Sequence, residues 1–254
     1  MKTLLLLTIL LLFQALPAAA QAKEPEGRAP RLSVTTDKGQ YFVGEPVELI
    51  LTLKNERGEK LNGTLKMGFE LNNLRVRYGR LGQRPTPFVS TEVNANATSN
   101  VTVLPEDLPA GGSAVHRERL LYAASPSGLL LSEPGEYEFQ ATFYYQDEVG
   151  DTIPLESNTA HVVVRAPPEA EGEALAAWND AELLDFLQGN DGYVAEAKVK
   201  AGMRKAVNFI QGHGGSVYAA AARKGLLDYL TPRAEANKLT PEEKAVFESL
   251  SGEQ

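Results

Sequence analysis

The segment Pro134-Gly135-Glu136-Tyr137-Glu138-Phe139-Gln140-Ala141-Thr142-Phe143 constrains the fold more than any other part of the chain. Tyr137, Phe139, Ala141 and Phe143 alternate with polar residues, the two-residue period of a strand that buries one face. A Pro-Gly turn just before a Tyr that opens a strand is the sequence form of a tyrosine corner. In that device the hydroxyl bonds to backbone a few residues upstream and closes the end of a β-sandwich. Continuing the alternation keeps Tyr145 inward and turns Tyr144 outward.

Further strand patterns recur on both sides. Leu32 to Thr36 is a first strand, and the Gly44-Glu45-Pro46 turn leads into Val47, Leu49, Leu51 and Leu53 on one face. Asn55-Glu56-Arg57-Gly58 is expected to close a hairpin. Leu65, Met67, Phe69 and Leu71 alternate, then Leu74, Val76 and Tyr78. Arg80 to Asn100, rich in Pro, Thr and Asn, reads as a long irregular excursion. Val101 to Leu104, His116 to Tyr122 and His161 to Val164 complete the set. Seven or more short strands separated by turns argue for a sandwich rather than βαβ units.

Tyr41-Phe42-Val43-Gly44-Glu45-Pro46-Val47 is similar to the start of the second strand of bacterial immunoglobulin-like domains. Leu131-Ser132-Glu133-Pro134-Gly135-Glu136-Tyr137 is similar to the lead into the penultimate one. Ser157-Asn158 before a Val-rich strand, ending in Ala166-Pro167-Pro168, is similar to their exit. The resemblance covers roughly residues 30 to 167. It implies an immunoglobulin-like antiparallel β-sandwich and is nearly silent on function, because such domains serve adhesion, inhibition, sugar binding and spacing alike.

Beyond Pro167-Pro168 the period changes. Leu175, Trp178, Leu183 and Phe186 fall on one face of a helix expected to end near Gly189-Asn190. Val199, Met203, Ala206, Val207 and Ile210 form a second stripe, stopped by Gly212-His213-Gly214-Gly215. Ser216 is expected to be the N-cap of a third helix, ended by Thr231-Pro232. Thr240-Pro241-Glu242-Glu243 carries a capping box for a fourth. The expected class is multi-domain β plus α, a sandwich followed by a small C-terminal helical bundle. The expected division is 1–22 signal peptide, 23–30 leader, 31–166 sandwich, 167–172 linker and 173–254 helical region.

At the N-terminus, Lys2 precedes an apolar run from Leu4 to Phe13, too short for a bilayer of ~30 Å. Small residues then place a signal cleavage after Ala20 or Ala22. No Cys stands there for a lipid anchor. No later segment is long and apolar enough to span a membrane, so the expected location is exported, in the periplasm or outside the cell. Zero cysteines suits a bacterial envelope or secreted protein, and the chain is long enough to be stabilised by burial. A formal net charge of −8 argues against a nucleic-acid partner. Arg75 and Arg77 share one strand face, read as solvated. Asn62-Gly63-Thr64, Asn96-Ala97-Thr98 and Asn100-Val101-Thr102 fit the glycosylation sequon but read as turn chemistry in a loop.

Candidate chemistry is sparse. Thiol chemistry and Cys-zinc sites are out. Among three histidines, His116, His161 and His213, no pair has the spacing of a metal-binding helix, although His116 and His161 sit near strand starts where strands bring residues together. His213-Gly214-Gly215 reads as a helix stop before a cap. Asp147, Glu148 and Asp151 read as a solvated hairpin turn rather than a calcium loop. No cofactor or metal is implied. Tyr144 is the exposed aromatic, with the helical tail as its expected cover and a partner as the alternative. The expected function is an exported, non-catalytic binding or scaffolding protein that recognises a protein or glycan through sandwich loops. A protease inhibitor presenting Pro85, Pro87 and Phe88 in an extended loop, and an enzyme of unrecognised type, are the alternatives.

Overall fold

The computed structural model describes residues 30–90, 106–125, 127–188 and 196–252. Ala20 and Ala22 lie outside them, as do the Val101–Leu104 strand and the sequons at Asn96 and Asn100. The architecture is β plus α, with several sheets followed by a helical C-terminal region.

A three-stranded antiparallel sheet has the order β1 (Arg31–Thr36), β3 (Val47–Lys54), β8 (Ser113–Leu120). In β3 the alternation acts as read, for Val47, Leu49, Leu51 and Leu53 are all fully buried. A larger sheet is built on the hairpin of β11 (Gly135–Asp147) and β12 (Thr152–Arg165). Along β11 run β5 (Leu74–Arg80) and β4 (Leu61–Thr64), with β6 (Thr86–Pro87) on β5 and β7 (Glu106–Leu108) on β4. The inner faces of the two sheets share one apolar core, in which Leu32, Val34, Leu49 and Leu51 meet Phe139, Phe143 and Val162. Tyr137 Oη donates to the Glu133 carbonyl at 2.9 Å, the upstream bond that the Pro-Gly-Glu-Tyr sequence anticipates.

Several local readings change. The expected all-antiparallel arrangement fails at β2 (Gln40–Phe42), which runs parallel to β12. The chain leaves β1 and crosses to the other sheet without reversing, so it meets the last strand in the same direction. Asn158 ties this crossing down, because its side chain both accepts from Val34 N and donates to Val34 O, each at 2.9 Å. Asn55–Gly58 closes no hairpin, since β3 and β4 belong to different sheets. The fully buried Asn55 is instead a corner post. Its Nδ2 donates to the carbonyls of Glu59, Leu108 and Pro109 at 2.8–3.0 Å. Leu65, Met67 and Phe69 are buried as their spacing requires, but they lie outside any strand; the ladder sits at Leu61–Thr64. The Asn62 sequon is therefore in a strand, not a loop. There Gly63 has no room for a side chain, because a Cβ would come 2.6 Å from Tyr145 Oη.

The helical region begins with a 3-10 turn, Glu169–Glu171, then α1 (Gly172–Trp178), α2 (Ala181–Leu187), α3 (Glu196–Gly212), α4 (Val217–Glu235) and α5 (Pro241–Ser251). The single helix expected over Leu175–Phe186 is two, because Asp180 stops one and caps the next, accepting from Glu182 N and Leu183 N at 3.0 Å. Helix α4 runs through Pro232 rather than ending there. Its last turn is held from outside by Arg233, which pairs with Glu243 at 3.0 Å. Ser216 caps α4, and Thr240 with Glu243 forms the capping box of α5, both as the sequence indicates.

Candidate functional site

The helices are docked on one end of the β body, and the joint is built from buried polar groups. The left-handed turn at Gly44 (φ +80°) points its carbonyl at Trp178, whose Nε1 donates at 2.8 Å. Trp178 is fully buried, with Phe209 and Tyr218 rings 5.3 and 5.7 Å away. Tyr218 Oη donates to the Val43 carbonyl at 2.6 Å, and burial pushes its phenol up to about 12. From the end of α2, Gln188 acts as a surrogate strand residue. Its Oε1 accepts from Leu121 N and Tyr122 N at 2.8 and 3.0 Å, and its Nε2 donates to the Arg119 carbonyl at 2.6 Å. A short ribbon of β9 (Tyr122–Ala124) and β10 (Ser127–Leu129) carries Tyr122 and Leu129 against the helical core.

Beside this joint lies a cavity of about 530 Å³ lined by Glu48, Arg117, Arg119, Lys224 and Asp228. The charges form a chain of pairs. Arg117 bonds Glu48 at 2.6 Å, Lys224 bonds Glu48 at 2.9 Å and Asp228 at 3.0 Å, and Arg119 closes on Asp228. Partial burial alone would raise the Glu48 carboxyl, but the bonds from Lys224 and Arg117 overcome it and hold the group below its ordinary range. A smaller concavity of about 280 Å³ on the helices holds Asp180, Lys205, Asn208 and His213. Lys205 bridges Asp180 and Glu182 at 2.7 and 2.8 Å, tying α3 to the start of α2.

The residues singled out from sequence are scattered. Tyr144 faces outward but is half-buried, and among the described residues its cover comes from the strand beside it rather than from the tail. The Arg75 guanidinium from the neighbouring strand lies 4.8 Å from its ring centre. Pro85 and Pro87 belong to a β5–β6 hairpin rather than an irregular excursion, with Pro87 exposed opposite Arg77. Phe88 is a core residue, a correction to its expected role in contacting a partner. It packs on Phe69 and Tyr78, and its N–H donates to the Val76 carbonyl at 2.8 Å. Residues on either side of it, Leu81 at 50 % and Val89 at 37 % exposure, are the apolar groups that the hairpin presents.

His116 and His161 lie in separate sheets and do not form a site. His116 bonds Glu118 at 2.9 Å, and both occupy core-side register positions opposite Leu51 and Leu49. Burial raises the Glu118 carboxyl, with His116 opposing. Charges turned inward on β8, where the three-stranded sheet ends, discourage pairing with another chain. The His213 ring lies 5.0 Å from that of Phe209, tilted by 38°. The Asp147 carboxylate accepts from Val149 N and Asp151 N, so it closes its own turn. Among the described residues no cluster of three or more His, Asp or Glu is placed to hold a metal. No described helix is long and apolar enough to cross a membrane. The sequence reading placed Gly44 in a turn but did not find its role at the joint, and Gln188 escaped it. A lone Gly in a turn and a Gln at a helix end look ordinary until their partners from distant segments are known.

No protein-family profile matches the chain, and no curated protein is similar to it. Solved structures match parts of the chain at low similarity. An alkylpurine DNA glycosylase from Pseudomonas fluorescens is 11 % identical with a TM-score of 0.30, over 54 % of this chain and 30 % of that one. The sporulation control protein of Bacillus subtilis is 14 % identical with a TM-score of 0.32, over 59 % and 54 % of the two chains. A CARDB domain from Pyrococcus furiosus, solved in complex with di-metal ions, is 16 % identical with a TM-score of 0.27, over 55 % and 91 %. Likeness at this level carries no argument about activity.

Proposed function

We propose that the chain is an exported, non-catalytic binding protein whose immunoglobulin-like β-sandwich recognises a protein partner, with the helical region as a fixed appendage. The sandwich reading is supported by two sheets around one core and by the Tyr137–Glu133 corner. Export is supported by Lys2, the apolar run to Phe13 and the small residues to Ala22. The charged clusters of Glu48–Lys224–Asp228 and Asp180–Lys205 join one element to another, a structural use of charge.

The observation that carries the binding role is the β5–β6 hairpin. Phe88 fixes it in the core, while Leu81, Pro87 and Val89 stay exposed around that anchor. Apolar side chains on a braced loop are ordered before a partner arrives, which lowers the entropic cost of association. A photo-crosslinking residue placed at Leu81 or Val89, in cells producing the chain, should yield one discrete protein adduct. The same residue at Val163, as exposed on β12 as Val89 is, should not. Identical adducts from all three positions, or none, would remove the hairpin as the recognition element.

A further inference from the structure

We infer that the outer face of β5 and β11, through Arg75, Arg77 and Tyr144, takes an extended acidic protein segment; this rests on the binding-protein reading and names the chemistry of its partner. Residues 71–91 contain four arginines and no Asp or Glu, in a chain whose formal net charge is −8. Arg80 is engaged by the Glu133 carboxylate and the Pro134 carbonyl. Among the described residues, Arg75, Arg77 and Arg84 form no ion pair, and Arg75 and Arg77 are exposed on the outer face of β5. Positive charge left without a carboxylate on an acidic protein is a lane of complementary potential.

The lane is also ordered. The Arg75 guanidinium rests over the Tyr144 ring, which holds the plane of the group while leaving its N–H edge free for a carboxylate. Gln140 and Thr142 stand opposite Arg77 and Arg75 in register and add neutral hydrogen-bonding groups between the two strands, while Glu138, next along the same face and opposite Gly79, ends the lane with negative charge. Pro87, opposite Arg77, bounds one side, and Glu156, opposite Thr142 on β12, bounds the other with negative charge. Arg75 and Arg77 are two residues apart on one strand, so their Cα atoms are about 6.6–6.8 Å apart. Alternate side chains of an extended peptide have the same spacing. A segment with carboxylates at every second residue therefore follows the repeat of the two arginines along β5, and each guanidinium fork suits a carboxylate as a bidentate pair.

The test uses the full chain and a fluorescein-labelled peptide alternating Glu and Thr, with binding read by anisotropy. The expected result is weak, salt-sensitive binding that falls by about tenfold or more in the Arg75→Gln/Arg77→Gln double variant. Both side chains are exposed, so the variant should keep the parent far-UV circular dichroism. A peptide alternating Gln and Thr should not bind. Absence of binding to the acidic peptide, or binding unchanged by the double substitution, would overturn the inference. So would a sulfated oligosaccharide that binds the parent more tightly than the peptide does. The Leu81 and Val89 crosslinks separate the two levels: if they persist while the acidic peptide fails to bind, only the partner chemistry falls. Loss of the crosslinks and of peptide binding together removes the binding role as well.

Discussion

Replacing Gly44 by Ala tests whether the helices are held to the β body by a close backbone approach. Gly44 has φ +80°, where a Cβ crowds the following carbonyl, a cost of about 1–2 kcal/mol. The added methyl would also stand 3.0 Å from Leu175 Cδ1 and 3.4 Å from Trp178 Cδ1. Forcing a methyl into such a packed site costs roughly 1–3 kcal/mol more. Gly82 separates the two effects, because it has the same φ of +80° with nothing within 4 Å of its Cβ position. Gly82→Ala should show the backbone strain alone. Trp178 is the only tryptophan in the chain, so its fluorescence reports the joint directly during urea unfolding. With an m-value near the upper end of about 1–3 kcal/mol per M, Gly44→Ala should lower the fluorescence midpoint beyond Gly82→Ala by roughly 0.3–1 M. Equal midpoints for the two variants would refute the close-approach argument, and so would a Gly44→Ala midpoint identical to that of the parent.

Two further outcomes follow from the same joint. Gln188→Ala removes three side-chain to backbone bonds and leaves Leu121 N, Tyr122 N and the Arg119 carbonyl without them. With each orphaned buried group costing ~1–3 kcal/mol and partial recovery by water, the net loss should be about 2–4 kcal/mol. Hydrogen exchange at Leu121 and Tyr122 should accelerate before that of β3, and unchanged exchange there would contradict the reading. Glu48 makes the joint acid-sensitive. Its folded carboxyl lies below its ordinary value of 4.5, so below that value the unfolded chain takes up the proton more readily. The stabilisation is present above the unfolded value and lost as pH falls through the folded one. Trp178 fluorescence should therefore report loosening on acidification below pH 4.5, and Glu48→Gln should flatten the dependence.

Much of the fold was legible because strand and helix periods are local properties. Alternation in Val47–Leu53 and Tyr137–Tyr145 identifies the buried face without knowledge of the partner sheet, and it turns Tyr144 outward. Cap chemistry at Ser216 and Thr240 is equally local, since the side chain bonds backbone three residues away. Errors fell where a local signal has two meanings. Asn55-Glu56-Arg57-Gly58 has the composition of a hairpin turn, but Asn55 is used as a corner, and two of its partners, the Leu108 and Pro109 carbonyls, lie more than fifty residues away. Pro232 weakens a helix, yet Arg233 and Glu243 hold one more turn in place.

The sequence by itself determined which residues face inward, where most strands and helices begin, and where β gives way to α. Tertiary structure decided who covers whom. Arg75, not the tail, rests on Tyr144. Phe88, a loop residue by composition, fills the core. Gln188 completes the backbone bonding of a distant strand, and Gly44 admits Trp178. The physical reason is that hydrophobic period and capping act over a few residues, where spacing encodes them. Buried polar pairs and close backbone approaches join segments remote in sequence, and no spacing names the two ends.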